Sequence, residues 1–348
     1  MFKRKTLFVV GAEASKEVGL PDGSGLAAKI AEKLNIRFAA GEIVSGDADL
    51  YHQVSQKHPQ DHQHYQPVAR TIAGGLPLAN SIDDYLDLHS DNAPLVRMGK
   101  VAIVKAVLEA ERGSKLYIDR REQRPIDFTL LSPTWFVKFM KMLGRGVVKN
   151  NARQIFDSVS FIVFNYDRCV EHFLLHALQP LYGIQEQEAG QILSDLHIIH
   201  PYGLVGDLPL PSVRPGVPFG GDGLDSVENY VTLSDQIRTY TEQMTDGTMA
   251  AQIRQEVLDA ECIVFLGFAY HAQNLNLLKP PDPIPQKPVF GTAFGMSDSD
   301  ATVVRDQLLA FFAAVPAHGI RQDLVKIENT MICGALFDSY TKSLTGGD

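Results

Sequence analysis

Phe8-Val9-Val10-Gly11-Ala12-Glu13-Ala14-Ser15-Lys16-Glu17-Val18-Gly19-Leu20-Pro21-Asp22-Gly23 is the stretch from which the rest of this chain is read. The apolar run Leu7 to Val10 has the length and composition of a short buried strand, and it stops at Gly11. Small residues follow, then a turn signal from Gly19 to Gly25 and a helical pattern from Leu26 to Leu34. A strand that breaks at a glycine and feeds a helix leaves backbone N–H groups without internal partners. With the positive end of the helix dipole, those groups attract phosphate. The same residues also make an ordinary turn, so nucleotide binding and plain turn chemistry both stand here. Gly-Lys-Ser/Thr at the Walker spacing is absent, and Gly11-Ala12-Glu13 does not make G-x-G-x-x-G.

Further apolar runs repeat the pattern of a strand ending in polar residues. Ser158 to Phe164 ends at Asn165-Tyr166-Asp167-Arg168 and leads into an amphipathic helix from Cys169 to Leu181. Polar groups at the carboxyl end of a parallel strand reach the ligand crevice of an open α/β sheet, although Asn165 and Asp167 could equally cap the next helix. Asp195 to Ile199 ends at His200-Pro201-Tyr202-Gly203. His200 is either a satisfied structural histidine or a general base suited to neutral pH, with His197 the competing choice. Cys262 to Leu266 ends at Gly267-Phe268-Ala269-Tyr270, Pro288 to Thr292 is a fifth strand, and another falls near Leu324 to Ile327. Ser234 to Ala260 reads as one long helix, Ala301 to Ala314 as another capped by Ser297, and a last helix carries Ile332, Leu336, Phe337 and Tyr340. The fold expected is α/β with a doubly wound parallel sheet.

Residues 37–154 read as a mainly helical insertion within a single domain spanning 1–348. Phe38 to Leu76 is polar and irregular, and its His52, His58, His62 and His64 are expected in a solvated loop. A metal on His58 and His62 would need helical spacing and further ligands that the neighbours do not supply. Ser81-Ile82-Asp83-Asp84 resembles a capping box with Asp in the fourth position, and Val96 to Glu111 forms a long amphipathic helix. Ser132-Pro133-Thr134-Trp135 opens another helix, whose aromatic and Met stripe is core.

Of the 348 residues, 45% are hydrophobic and 21% charged, enough for a sizeable core. The net charge of −9 argues against a general phosphate-backbone binder of nucleic acid. Cys169, Cys262 and Cys333 lie far apart, so neither a four-cysteine zinc site nor a disulfide framework is expected. No apolar run approaches the roughly 20 residues of a membrane span. The expectation is a soluble cytoplasmic protein.

Gly11-Ala12-Glu13-Ala14-Ser15 and Gly19-Leu20-Pro21-Asp22 together resemble the first motif of the Sir2 (sirtuin-like) superfamily, G-A-G-x-S followed by G-[IL]-P-[DST]. Asn165-Tyr166-Asp167 is similar to its Asn-x-Asp, and His200 with Gly203 to its His-x-x-Gly turn. Gly267-Phe268-Ala269-Tyr270 with Gln273-Asn274 is similar to the bacterial Sir2-like version of its later motif. The likeness covers roughly 1–35 and 155–300. It implies a Rossmann-like NAD-binding fold, here without the zinc-binding module that sirtuin deacetylases place near Pro209 to Gly223.

The resemblance also implies an activity: hydrolysis of NAD to nicotinamide and ADP-ribose, as an NAD-depleting effector in defence against phage. Asn165 would then position the ribose and the attacking water, His200 would act as base, and Asp167 would orient the carboxamide. Gly11, Ala12 and Ser15 would hold the diphosphate, and Gly267, Phe268 and Thr292 the adenosine side. Pro21, Asp22 and Asn274 complete the NAD-binding set. No metal enters this scheme. A homo-oligomer, and a partner such as a DNA-translocating ATPase, are the expected associations. A regulatory subunit that binds NAD or ADP-ribose without turnover is the main alternative, and an NAD-dependent protein deacylase a lesser one. Glu13 departs from the family glycine: facing a diphosphate it would lower affinity unless it points away.

Overall fold

The computed structural model describes residues 2–119, 125–224, 227–245, 247–313 and 319–346. The apolar runs form β1 (Thr6–Val10), β4 (Val159–Val163), β5 (His197–Ile199), β6 (Cys262–Leu266), β7 (Val289–Thr292) and β8 (Val325–Glu328). Between β1 and β4, β2 (Arg37–Ala39) and β3 (Glu42–Ser45) pair only with each other, as an antiparallel hairpin. The six remaining strands make one parallel sheet in the order β5-β4-β1-β6-β7-β8. This is the arrangement of a doubly wound, Rossmann-like sheet, with its chain reversal between β1 and β6.

Side chains alternate across the sheet, as a parallel strand covered on both faces requires. Leu7 and Val9 of β1, Ile162 of β4, and Ile263 and Phe265 of β6 enter a core shared with Ile30, Leu34, Val101 and Ile103. Phe8 and Val10, Phe161 and Val163, and Val264 and Leu266 enter the opposite core. There Phe8 packs against Phe2, Phe139, Phe161 and Phe337, with ring centroids 5.1–6.3 Å apart. Each such fully buried ring contributes about 2–3 kcal/mol. Glu17 ties this face together, because its carboxylate accepts from the Trp135 and Gly334 N–H groups, each at 2.7 Å. It thereby caps the helices Trp135–Leu143 and Cys333–Thr345 at once.

Three expectations need correction. Phe38 to Leu76 is not an irregular loop: after the hairpin it holds helices Ala48–Lys57 and His62–Gly75. Asp47 caps the first through the Leu50 N–H, and Leu50, Tyr51, Val54, Tyr65, Val68, Ala69 and Ile72 bury one face of each. The Gln and His residues between them mask a period that is nonetheless helical. Ser234 to Ala260 is not one helix: Val227–Ser234 ends and a second helical stretch begins at Tyr240, described as Tyr240–Thr245 and Gly247–Asp259, while Asp246 lies outside the described residues. The break at Thr239 is a reciprocal capping box, with the Thr239 N–H donating to Glu242 and the Glu242 N–H to the Thr239 hydroxyl. The helix expected to reach Ala314 ends at Leu309, and Ala314 lies outside the described residues.

The strand ends set the site. β4 and β6 both pair with β1 so that Val163 and Leu266 stand level with Val10. Gly11, Asn165 and Gly267 therefore meet at one edge, the carboxyl edge next to the reversal, where α/β sheets place ligands.

Candidate functional site at the carboxyl edge of the sheet

Two glycines interlock at the centre of this edge. The Gly11 N–H donates to the Leu266 carbonyl at 2.9 Å and the Glu13 N–H to the Gly267 carbonyl at 3.2 Å. A Cβ on Gly11 would lie 2.4 Å from the Gly267 oxygen, and one on Gly267 2.1 Å from the Ala14 nitrogen. Gly267 also sits at φ +56°, a region that other L-residues enter at a cost. The Thr292 hydroxyl accepts from the Gly267 N–H at 2.8 Å and holds the turn from below.

Over these turns lies a cleft of about 270 Å³. Its floor and walls include Gly11, Ala12, Asn165, Gly267, Phe268 and Asn274, all expected from the sequence. The helical insertion closes the other side with Asn80, Ser81, Asp83 and Asp84. An adjoining, smaller cavity shares Ala12, Asp22, Asp83 and Asn165, and adds Pro21, Tyr166 and Asp167.

Three expected residues stand elsewhere. Ser15, only 2% exposed, is turned into the seam between β1 and β4. Its hydroxyl donates to Asp167 at 3.1 Å and accepts from the Asn165 amide at 3.3 Å, so it braces the turn and does not face the cleft. Thr292 is likewise buried beneath Gly267. His200 lines neither cavity. Its Nε2 lies 2.8 Å from Glu171 Oε1 and its Nδ1 3.4 Å from the Asn165 carbonyl. Burial opposes a charge on this ring, but the Glu171 carboxylate outweighs it and holds the His200 pKa above the ordinary value. With both nitrogens committed, His200 fixes the turn that carries Asn165. His197 is exposed at the opposite end of its strand and pairs with Glu256.

Asn165 is 6% exposed. Its amide nitrogen donates to the Gly11 carbonyl at 3.2 Å and to Ser15, which fixes the side-chain plane. Its Oδ1 is buried and has no hydrogen-bond partner among the described residues. Asp167 accepts from Ser15 and from the Cys169 N–H, so the capping role open in the sequence is real for Asp167. Burial nonetheless raises its pKa.

The cleft lining is acidic. Asp22 caps helix Gly23–Leu34 through the Gly25 N–H at 2.8 Å and pairs with Lys16 at 2.8 Å; Lys16 first, then the cap, hold its pKa down to about 2. Glu13 also lines the cleft; partial burial raises its pKa against the pull of Lys16. The sequence reading missed Asp83 and Tyr202. The Tyr166 hydroxyl donates to Asp83 Oδ1, and burial pushes the Asp83 pKa up to about 6. The Tyr202 hydroxyl donates to Asn274 Oδ1 at 2.5 Å and bridges the β5 and β6 ends. The one signal for Asp83 was the capping pattern at Ser81, whose hydroxyl does accept from the Asp84 N–H at 3.1 Å.

Among the described residues, no group of three or more His, Cys, Asp or Glu side chains is placed to share a metal ion, and no helix is long and apolar enough to cross a membrane. No protein-family model matches the chain, and no curated protein matches it in sequence.

Proposed function

We propose that the cleft binds NAD and hydrolyses its nicotinamide–ribose bond, releasing nicotinamide and ADP-ribose. The observation that carries this reading is the orphan Oδ1 of Asn165. A buried acceptor without a partner costs about 1–3 kcal/mol, and such atoms are kept where a ligand supplies the donor. Here the amide nitrogen is anchored on Gly11 and Ser15, so the oxygen is presented in a fixed direction. A ribose hydroxyl or a water held by it would be placed for attack at the anomeric carbon.

The electrostatics support the same bond. Cleavage passes through an oxocarbenium-like state in which positive charge grows on the sugar, and Asp83, Asp84 and Glu13 line the cleft that would hold it. The same carboxylates disfavour a diphosphate beside Glu13, which leaves the interlocked glycines and Phe268 as the surface a dinucleotide can approach closely. On the resemblance, the chain is an NAD-depleting effector in phage defence. It would be restrained within a homo-oligomer or by a partner such as a DNA-translocating ATPase.

Nicotinamide release from NAD by the purified chain, beside a folded Asn165→Ala variant, tests this. Turnover lost in the variant is the expected result, and equal turnover in both refutes the assignment. One observation favours a second reading, NAD or ADP-ribose binding without turnover: both ring nitrogens of His200 are already engaged. That reading predicts a raised melting temperature with ADP-ribose and no nicotinamide from the wild-type chain.

A further inference from the structure

We propose that Asp83, carried into the cleft by the helical insertion, is the group that takes the proton of the attacking water, with Tyr166 as its partner. The inference rests on reading the cleft as a site of NAD hydrolysis. In the step, the C1–N bond breaks and its electron pair passes to the nicotinamide ring nitrogen, neutralising the pyridinium charge. The water oxygen bonds to C1, and its proton moves to the Asp83 carboxylate and then to solvent. NAD and water thus become nicotinamide, ADP-ribose and one proton.

Among the described titratable groups of the cleft, Asp22 and Asp83 also line the adjoining cavity, as Asn165 does, whereas Glu13, Asp84 and His271 do not. His200 lines neither cavity and has both nitrogens engaged. Asp167 is turned to Ser15 and the Cys169 N–H. Asp22 accepts from Lys16, Ser24 and Gly25, and a carboxylate held near 2 is too weak a base. Asp84 accepts from the Asn80 amide at 3.1 Å.

Asp83 is placed differently. It lines both cavities, as does Asn165. It sits in the first turn of helix Ile82–Leu88, and its Oδ1 accepts from Tyr166, the residue after Asn165, leaving Oδ2 for a water. The charged and titratable groups around it are known. Asp84 and Asp87 share its helix, and Tyr166 and Tyr202 come from the strand ends. Glu13, Asp22 and His271 line the cleft with it, and Tyr240 lies on a helix packed against its own. Arg97 and Lys100, on the neighbouring helix Ala93–Arg112, pair with Asp61 and Glu242. Burial with these acidic neighbours holds the carboxyl at about 6, where it is ionised at neutral pH and still basic enough to accept a proton.

The test is the pH dependence of nicotinamide release by the full chain and by Asp83→Asn, Tyr166→Phe and His200→Gln. Wild-type turnover should rise with pH through about 6, as one group deprotonates. Asp83→Asn should lose about a hundredfold or more across the range, the usual scale of general-base loss. The Tyr166 bond favours the ionised carboxylate, so Tyr166→Phe should move the acid limb upward, on the order of one pH unit. A merely structural tyrosine would lower the rate and leave the limb in place. His200→Gln should lower turnover and keep the limb. Turnover retained by Asp83→Asn, or a limb that vanishes in His200→Gln while Tyr166→Phe leaves it unmoved, overturns the role and leaves the hydrolase reading standing. No turnover by the wild-type chain overturns that reading and this role with it.

Discussion

Replacing Arg168 by Met should destabilise the fold far more than a typical substitution. Arg168 and Glu111 are both fully buried and form an ion pair, Nη2 to Oε2 at 2.5 Å and Nε to Oε1 at 3.0 Å. The same guanidinium donates to the carbonyls of Gly206, Val217 and Pro218, which pins the Pro/Gly-rich segment to the insertion helix. Arg168→Met leaves a buried carboxylate with only the backbone N–H groups of Arg168 and Gly220. Breaking a buried pair in this way costs about 3–5 kcal/mol. Glu111→Leu strands the guanidinium and should cost a similar amount. The double variant carries no unpaired charge, but three carbonyls and the backbone N–H groups of positions 168 and 220 each lose a partner, so its loss should fall to about 1–3 kcal/mol. Urea unfolding provides the assay, followed by circular dichroism and by Trp135, the single tryptophan, which is buried among aromatic rings. A double variant that loses the sum of the two single losses would refute the reasoning, because the pair would then be two independent contacts.

Gly267→Ala puts a methyl group into the Ala14 backbone at a positive φ, so it should cost about 2–4 kcal/mol and weaken ADP-ribose binding, measured by calorimetry. Unchanged affinity would show that the interlocked turn is not part of the binding surface. Burial holds His176 down to about 4, below its ordinary 6.5, so between those values the unfolded chain binds a proton that the folded chain refuses. That contribution is present above pH 6.5 and is lost as the pH falls towards 4. The difference in stability between pH 7 and pH 5 should therefore be smaller in His176→Gln, on the order of 1–2 kcal/mol less than in the wild type. An identical difference in both proteins would contradict this.

What was legible in the sequence follows from what a parallel strand requires. Burial on both faces forces continuous apolar runs, so Leu7 to Val10, Phe161 to Val163 and Cys262 to Leu266 declare themselves, and each breaks where its strand ends. The sequence alone thereby brings Gly11, Asn165 and Gly267 to one edge of the sheet. Side-chain direction was not legible. Ser15 and Thr292 stand beside the cleft in sequence but bond inward, and only the fold shows that His200 meets Glu171, a residue on the earlier helix Cys169–Tyr182. Asp83 is the deeper omission. It comes from the insertion, some eighty residues before Tyr166, and nothing local separates a capping aspartate from one delivered across a cleft. The helices at 48–75 were missed because His and Gln carry part of a period usually read from aliphatic residues alone.

The account stands most directly on where the water goes. With NAD supplied in water enriched in heavy oxygen, mass spectrometry should find nicotinamide unlabelled and ADP-ribose carrying one heavy oxygen on the anomeric carbon, from the wild-type chain and not from Asn165→Ala. Nicotinamide released with an unlabelled or cyclised product would contradict hydrolysis at this cleft, and no release at all would contradict the account as a whole.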